Sequence, residues 1–163
     1  MNSAVDNLAH RIACELKERN ICQGRYQVRT LHSLAREIVL EQPGLAGVVP
    51  AFPVLDERTS QALLERAGET WLAAHPEIWE TLLDEDSTEA RQFWRERILE
   101  MAAATIELAK NRRWRPGAIL ERLPQRPHPD LVRVAVEVYA LYQSYVESSG
   151  GLDFDDLVWR AVD

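Results

Sequence analysis

The chain has 163 residues, room for one compact domain or for one domain with fragments of a second. Its 46 % hydrophobic and 28 % charged content is ordinary for a folded protein and excludes disorder throughout, and no apolar run approaches the roughly 18 to 20 residues that span a bilayer. The net charge of −7 excludes a uniformly basic nucleic-acid binder.

In chain order, Ala4, Leu8, Ile12 and Leu16 recur at helical spacing and predict an amphipathic helix over about 3–19. The start, MNSAVDNLAHRI, has no basic flank and no apolar core, so it is no secretory signal, and the expected compartment is the cytoplasm. Cys14 and Cys22 have no companions at metal-ligand spacing and are read as reduced thiols. Tyr26-Gln27-Val28-Arg29 alternates apolar with polar and predicts a short strand. Leu31, Leu34, Ala35, Ile38 and Val39 predict a second helix, closed by Pro43-Gly44. Residues 41–57 read as a loop.

Helices are then expected over 58–74, from Pro76 to Leu83, over 88–109, near 118–123, over 130–147, and again from Asp153. The fold class is therefore mainly α, a helical bundle with one orphan strand. A single strand cannot satisfy its own backbone hydrogen bonds, so that strand requires a sheet the rest of the sequence does not supply.

Charge falls in blocks. Residues 1–36 hold six basic and three acidic residues, 37–109 five and fifteen, 110–133 seven and two, and 134–163 one and six. Two basic islands thus interrupt an acidic body. The denser is Lys110-Asn111-Arg112-Arg113-Trp114-Arg115, where cations for phosphates flank an indole on which a base can stack, the chemistry of single-strand binding. Its alternative is a solvated helix end whose cations complement the helix dipole. Thr30-Leu31-His32-Ser33, at the strand-to-helix junction, is equally open: free first-turn N–H groups with Thr, His and Ser donors suit a phosphate, while Thr30 alone suits a helix cap.

Nucleotide hydrolysis requires clustered glycines and a Lys around the phosphates; the seven glycines are scattered and no Gly-Lys-Ser/Thr occurs. Val54-Leu55-Asp56-Glu57 has the outline of a Mg²⁺-binding strand, but Pro53 stands where a central strand needs a donor. Asp153, Asp155 and Asp156 fit a helix start, Asp153 as cap and the others in the first turn; a carboxylate-metal hydrolase is the competing use of the three. Asp84-Glu85-Asp86 forms a further acidic run, and His10, His32, His75 and His128 form no zinc motif.

Four separated segments resemble the UvrD/Rep-like family of superfamily 1 DNA helicases. Asn2-Ser3-Ala4-Val5, with Leu8 and Arg11-Ile12, is similar to motif Ia; Val28 through Leu34 is similar to the T-F-H-S motif; Ile106, Lys110-Asn111 and Pro116 are similar to the "I…K-N…P" stretch of the helical insert; Tyr139, Tyr142-Gln143, Tyr145 and Leu152-Asp153-Phe154-Asp155-Asp156-Leu157 resemble the segment that ends it. Leu31 departs from the pattern, replacing the usual Phe, and Met1 stands where the Thr of motif Ia would be, as in an excerpted, truncated or decayed gene.

The resemblance implies that 1–39 is a fragment of a RecA-like motor domain, 40–150 a helical accessory subdomain of the 1B type, and 151–163 the start of the return to the motor. It implies a phosphate loop before Met1 and an acidic Mg²⁺ motif after Asp163. ATP and Mg would then serve the parent helicase, with no cofactor, metal or catalytic residue in this segment. The implied partners are single-stranded DNA and a duplex junction, together with the remainder of the motor, and no membrane. Asn2, Thr30 and His32 would contact the strand, joined by Lys110, Arg112, Arg113, Trp114 and Arg115 of the basic island. Apolar faces left uncovered would favour self-association. The alternative is a stand-alone helical protein–protein interaction module.

Overall fold

A computed structural model of the chain describes residues 3–21, 26–83, 87–124 and 130–162. Among them are eight helices: α1 (Ser3–Glu18), α2 (Leu31–Glu41), α3 (Glu57–Ala74), α4 (Ile78–Leu82), α5 (Thr88–Asn111), α6 (Pro116–Leu120), α7 (Leu131–Ser148) and α8 (Phe154–Val162). The mainly α class expected from the periodicity is the one observed. Among the described residues no helix is long and apolar enough to cross a membrane.

Local chemistry sets the helix starts. Thr30, Asp56, Ser87 and Asp130 each turn a side-chain oxygen onto a first-turn N–H of α2, α3, α5 and α7, filling donors that have no partner inside the helix. Pro116 occupies the first turn of α6, where its missing N–H costs nothing. α5 ends where Arg113 takes the left-handed conformation at φ 57°.

Apolar side chains gather in two cores. The larger lies among α3, α5 and α7, where Trp71, Ile98, Ile106, Val138 and Tyr142 are buried together. Val134 and Val138 are at most 2 % exposed, and burial of each contributes about 1.5 to 3 kcal/mol. Gly68 permits the close approach of α3 to α5: a Cβ there would stand 2.5 Å from Leu99 Cδ2. The smaller core joins Ala35 and Val39 of α2 to Leu157 of α8, with Ala46 and Phe52 from the turns after α2 and with Leu152. α1 buries none of its residues.

The expected strand at Tyr26–Arg29 is not formed. Residues 26–30 lie outside helix and ladder, because the described residues offer no second strand to pair with them; Tyr26 and Gln27 are exposed and can meet water instead. The β-pairing that does occur among the described residues is a single parallel bridge, Val54 with Leu152. It ties the segment leading into α3 to the segment leading out of α7. Leu55 N–H donates to Leu152 O at 2.8 Å, and Leu152 N–H donates to Pro53 O at 3.0 Å. Pro53, without a donor, takes part through its carbonyl. Asp56, the residue that gave Val54–Glu57 its metal-strand outline, accepts the Thr59 N–H at 2.8 Å as the cap of α3, and hydrogen bonding to the Thr59 side chain and then to its N–H holds its carboxyl below the usual range.

Candidate functional site

The first turn of α8 is the meeting point of residues from four elements. Lys110, in the last turn of α5, has a side chain with no exposure to solvent; its Nζ lies 2.5 Å from Asp153 Oδ2 and 2.9 Å from Asp156 Oδ2. From α7, the Tyr142 hydroxyl donates to Asp153 Oδ2 at 2.6 Å and the Gln143 amide donates to Asp156 Oδ2 at 3.2 Å. Asp153 Oδ1 accepts the Asp156 N–H at 2.8 Å, so Asp153 caps α8 while holding a buried cation. From α2, the His32 ring packs against Phe154, centroids 4.8 Å apart and tilted by 54°.

One ammonium between two buried carboxylates leaves a deficit of positive charge, and the two respond in opposite directions. Burial opposes ionisation of Asp153, but Lys110, the Asp156 N–H and the Tyr142 hydroxyl outweigh it and hold its carboxyl below the ordinary value. Asp156 has fewer donors: burial pushes its carboxyl up, the negative Asp153 adds to the rise, and Lys110 offsets only part. Asp155 is pushed up as well, by partial burial and then by Asp153. Burial and the charge of Asp153 raise the Tyr142 hydroxyl, which keeps it a donor at neutral pH.

The basic island divides at this cluster. Lys110 is turned inward and does not share a surface with the arginines that follow it. Arg112, Arg113, Trp114 and Arg115 are exposed. The Arg112 guanidinium stands 5.4 Å from the centroid of the Trp114 ring, and that of Arg115 5.9 Å from the Trp159 ring of α8. The loop backbone is fixed from within: Arg113 N–H donates to Lys110 O at 3.0 Å, Trp114 N–H to Ala109 O at 2.8 Å, and the Tyr139 hydroxyl to Trp114 O at 3.3 Å.

Arg115 also borders a cleft of about 440 Å³ between α6, α7 and α8, where Tyr139, Gln143, Trp159 and Arg160 line the walls.

The Thr30–Ser33 junction takes the capping arrangement. Thr30 Oγ1 accepts the Ser33 N–H at 3.1 Å, and the Ser33 hydroxyl donates to Thr30 O at 2.8 Å. His32 and Leu31 are exposed. Asn2, Asp84-Glu85-Asp86, Cys22 and His128 lie outside the described residues. Among the described residues no group of three or more His, Cys, Asp or Glu is placed to hold a metal ion.

The sequence model of the UvrD/REP helicase N-terminal domain matches residues 1–163. The chain belongs to the UvrD/REP helicase family. No curated protein and no solved structure matches it. In this UvrD/REP helicase domain, three of the four segments that resemble family motifs converge on one helix start: the T-x-H-S segment through His32, the Lys110-Asn111 stretch through Lys110, and the last segment through Tyr142, Gln143, Asp153, Phe154 and Asp156.

Sequence reasoning missed the inward turn of Lys110. The signal was available in the helical period, since Lys110 follows the buried Ile98, Ala102 and Ile106 in steps of four and so continues the core face of α5.

Proposed function

We propose that this chain is a DNA-contacting helical segment of an ATP-dependent UvrD/Rep-like DNA helicase, and that it does not hydrolyse ATP alone. Membership of the family over residues 1–163 carries the reading. The exposed Arg112, Arg113, Trp114 and Arg115 support it, because they offer cations for phosphates and an indole face for a base on one short loop. Thr30 and His32 form a second candidate contact. The α2 cap uses Thr30 Oγ1 as an acceptor, but leaves the His32 side chain at the surface.

The absence of any Gly-Lys-Ser/Thr from the sequence supports the second half of the proposal. ATP and Mg²⁺ then act in the parent helicase, whose remaining motor, with single-stranded DNA and a duplex junction, is the expected partner. Residues of about 40–150 serve as its accessory subdomain.

The test is a salt titration of DNA binding, read by fluorescence anisotropy of a labelled oligothymidylate. The triple variant R112A/R113A/R115A should weaken binding and reduce the slope of log K against log salt by about 2, since each phosphate contact on single strands contributes about 0.7. An unchanged slope removes the loop from the interface. Steady ATP turnover by the pure chain overturns the other half.

A second reading, as a protein-interaction module, has its own observation. Leu31, Leu34 and Ile38 form an apolar row along α2 that is 64 %, 46 % and 43 % exposed, and such a row suits a protein surface or a second copy of the chain. Light scattering decides for self-association if the mass rises with concentration and L34E/I38E returns it to that of a monomer.

A further inference from the structure

We infer that Lys110 is a positioning residue for the DNA-contacting loop, fixing residues 112–115 to α8 through its buried pairing with Asp153 and Asp156. This rests on the reading of that loop as a DNA contact.

The loop is bound to α8 at both ends. At its start, the carbonyls of Ala109 and Lys110 hold the Arg112, Arg113 and Trp114 N–H groups at 3.1, 3.0 and 2.8 Å, and the Lys110 side chain crosses to the first turn of α8. At its end, the Arg115 guanidinium lies over Trp159, in the next turn and a half of the same helix. The loop therefore takes its position from α8 as much as from α5.

An apolar contact would not do the same. Buried ion pairs stabilise little compared with apolar side chains of similar volume, because desolvation offsets most of the attraction. Their distinguishing property is direction. Every oxygen in this cluster that faces Lys110 has a further donor in Tyr142 or Gln143, so a slip of α8 along α5 or α7 would strand buried charges. Apolar surfaces slide at lower cost. The arrangement permits one register between α8 and the loop, and a shift of α8 would carry the arginines with it.

The experiment compares the unaltered chain with K110M, with the neutral set K110M/D153N/D156N, and with R112A/R113A/R115A. Asn at 153 can still cap α8, and the neutral set leaves no unpaired charge, so it tests the idea even if K110M alone fails to fold. Circular dichroism establishes folding, and anisotropy against a labelled oligothymidylate gives affinity across a salt series. The neutral set should bind about tenfold more weakly, within the range of coupling between contacting groups. Its salt slope should match the unaltered chain, because every loop arginine is retained.

A merely structural role for Lys110 would lower the melting temperature and leave the affinity of the folded protein unchanged, and that result overturns the inference. If the arginine triple variant binds as the unaltered chain does, the DNA reading fails first and the inference falls with it. If the triple variant weakens binding and the neutral set does not, the inference fails alone.

Discussion

Leu55, just before α3, and Leu152, just after α7, are joined by a 2.8 Å hydrogen bond from the Leu55 N–H to the Leu152 carbonyl. The Val54–Leu152 bridge around it fastens the two passages between the α3–α5–α7 core and the α2–α8 core. Gly151 makes the contact possible. A Cβ at Gly151 would stand 2.9 Å from Pro53 O and 3.0 Å from Leu55 Cδ2, and the first of these is backbone that cannot rotate away. Gly151→Ala should therefore destabilise the chain by about 1 to 3 kcal/mol. Gly44→Ala, with nothing near its added methyl, is the control. Urea denaturation of both variants measures the difference.

The opposed shifts of Asp153 and Asp156 give opposed contributions to pH dependence. The folded value of Asp153 lies below the ordinary 3.8, so its stabilising contribution is present above that value and is lost as pH falls through the folded one. The folded value of Asp156 lies above 3.8. Its contribution is present below the unfolded value and is lost as pH rises through the folded one. Asp153→Asn should remove part of the loss of stability on the acid side of 3.8. Asp156→Asn should instead remove a decline on the alkaline side. Chemical denaturation at a series of acid pH values separates the two, and identical changes in both variants would contradict the assigned directions.

Removal of one member of a buried ion cluster differs from removal of all its charges. Lys110→Met leaves Asp153 and Asp156 facing each other without a cation and should cost about 3 to 5 kcal/mol. K110M/D153N/D156N should regain most of that loss, since no buried charge is then uncompensated. A neutral set as unstable as Lys110→Met would mean that the attraction itself carries the stability.

Much of this architecture is legible in the sequence because the helical signals are local. Ser87 and Asp130 sit before runs of helical period and cap the helices that follow. Asp153, too, is legible as a cap. Its second role is not, because the partner cation lies 43 residues earlier and pairing across such a distance leaves no local pattern. Lys110 shows the same limit from the other side: a run of like-charged neighbours reads as one surface, whereas a helix end turns successive residues in different directions. The strand expected at Tyr26–Arg29 failed because alternation reports a half-buried surface only where a sheet exists to bury it. The convergence of His32, Lys110 and Asp153 on α8 is a property of the fold, visible only once α2, α5 and α7 are in place.

Photocrosslinking of the chain to single-stranded DNA carrying 5-iododeoxyuridine, with the attachment site read by mass spectrometry, tests the central claim most directly. The claim is that residues 112–115 meet the strand. The expected result is a crosslink on Trp114 that is lost in R112A/R113A/R115A. Attachment confined to other aromatic residues, such as Phe93 or Trp94 of α5, and persisting in that variant would contradict it.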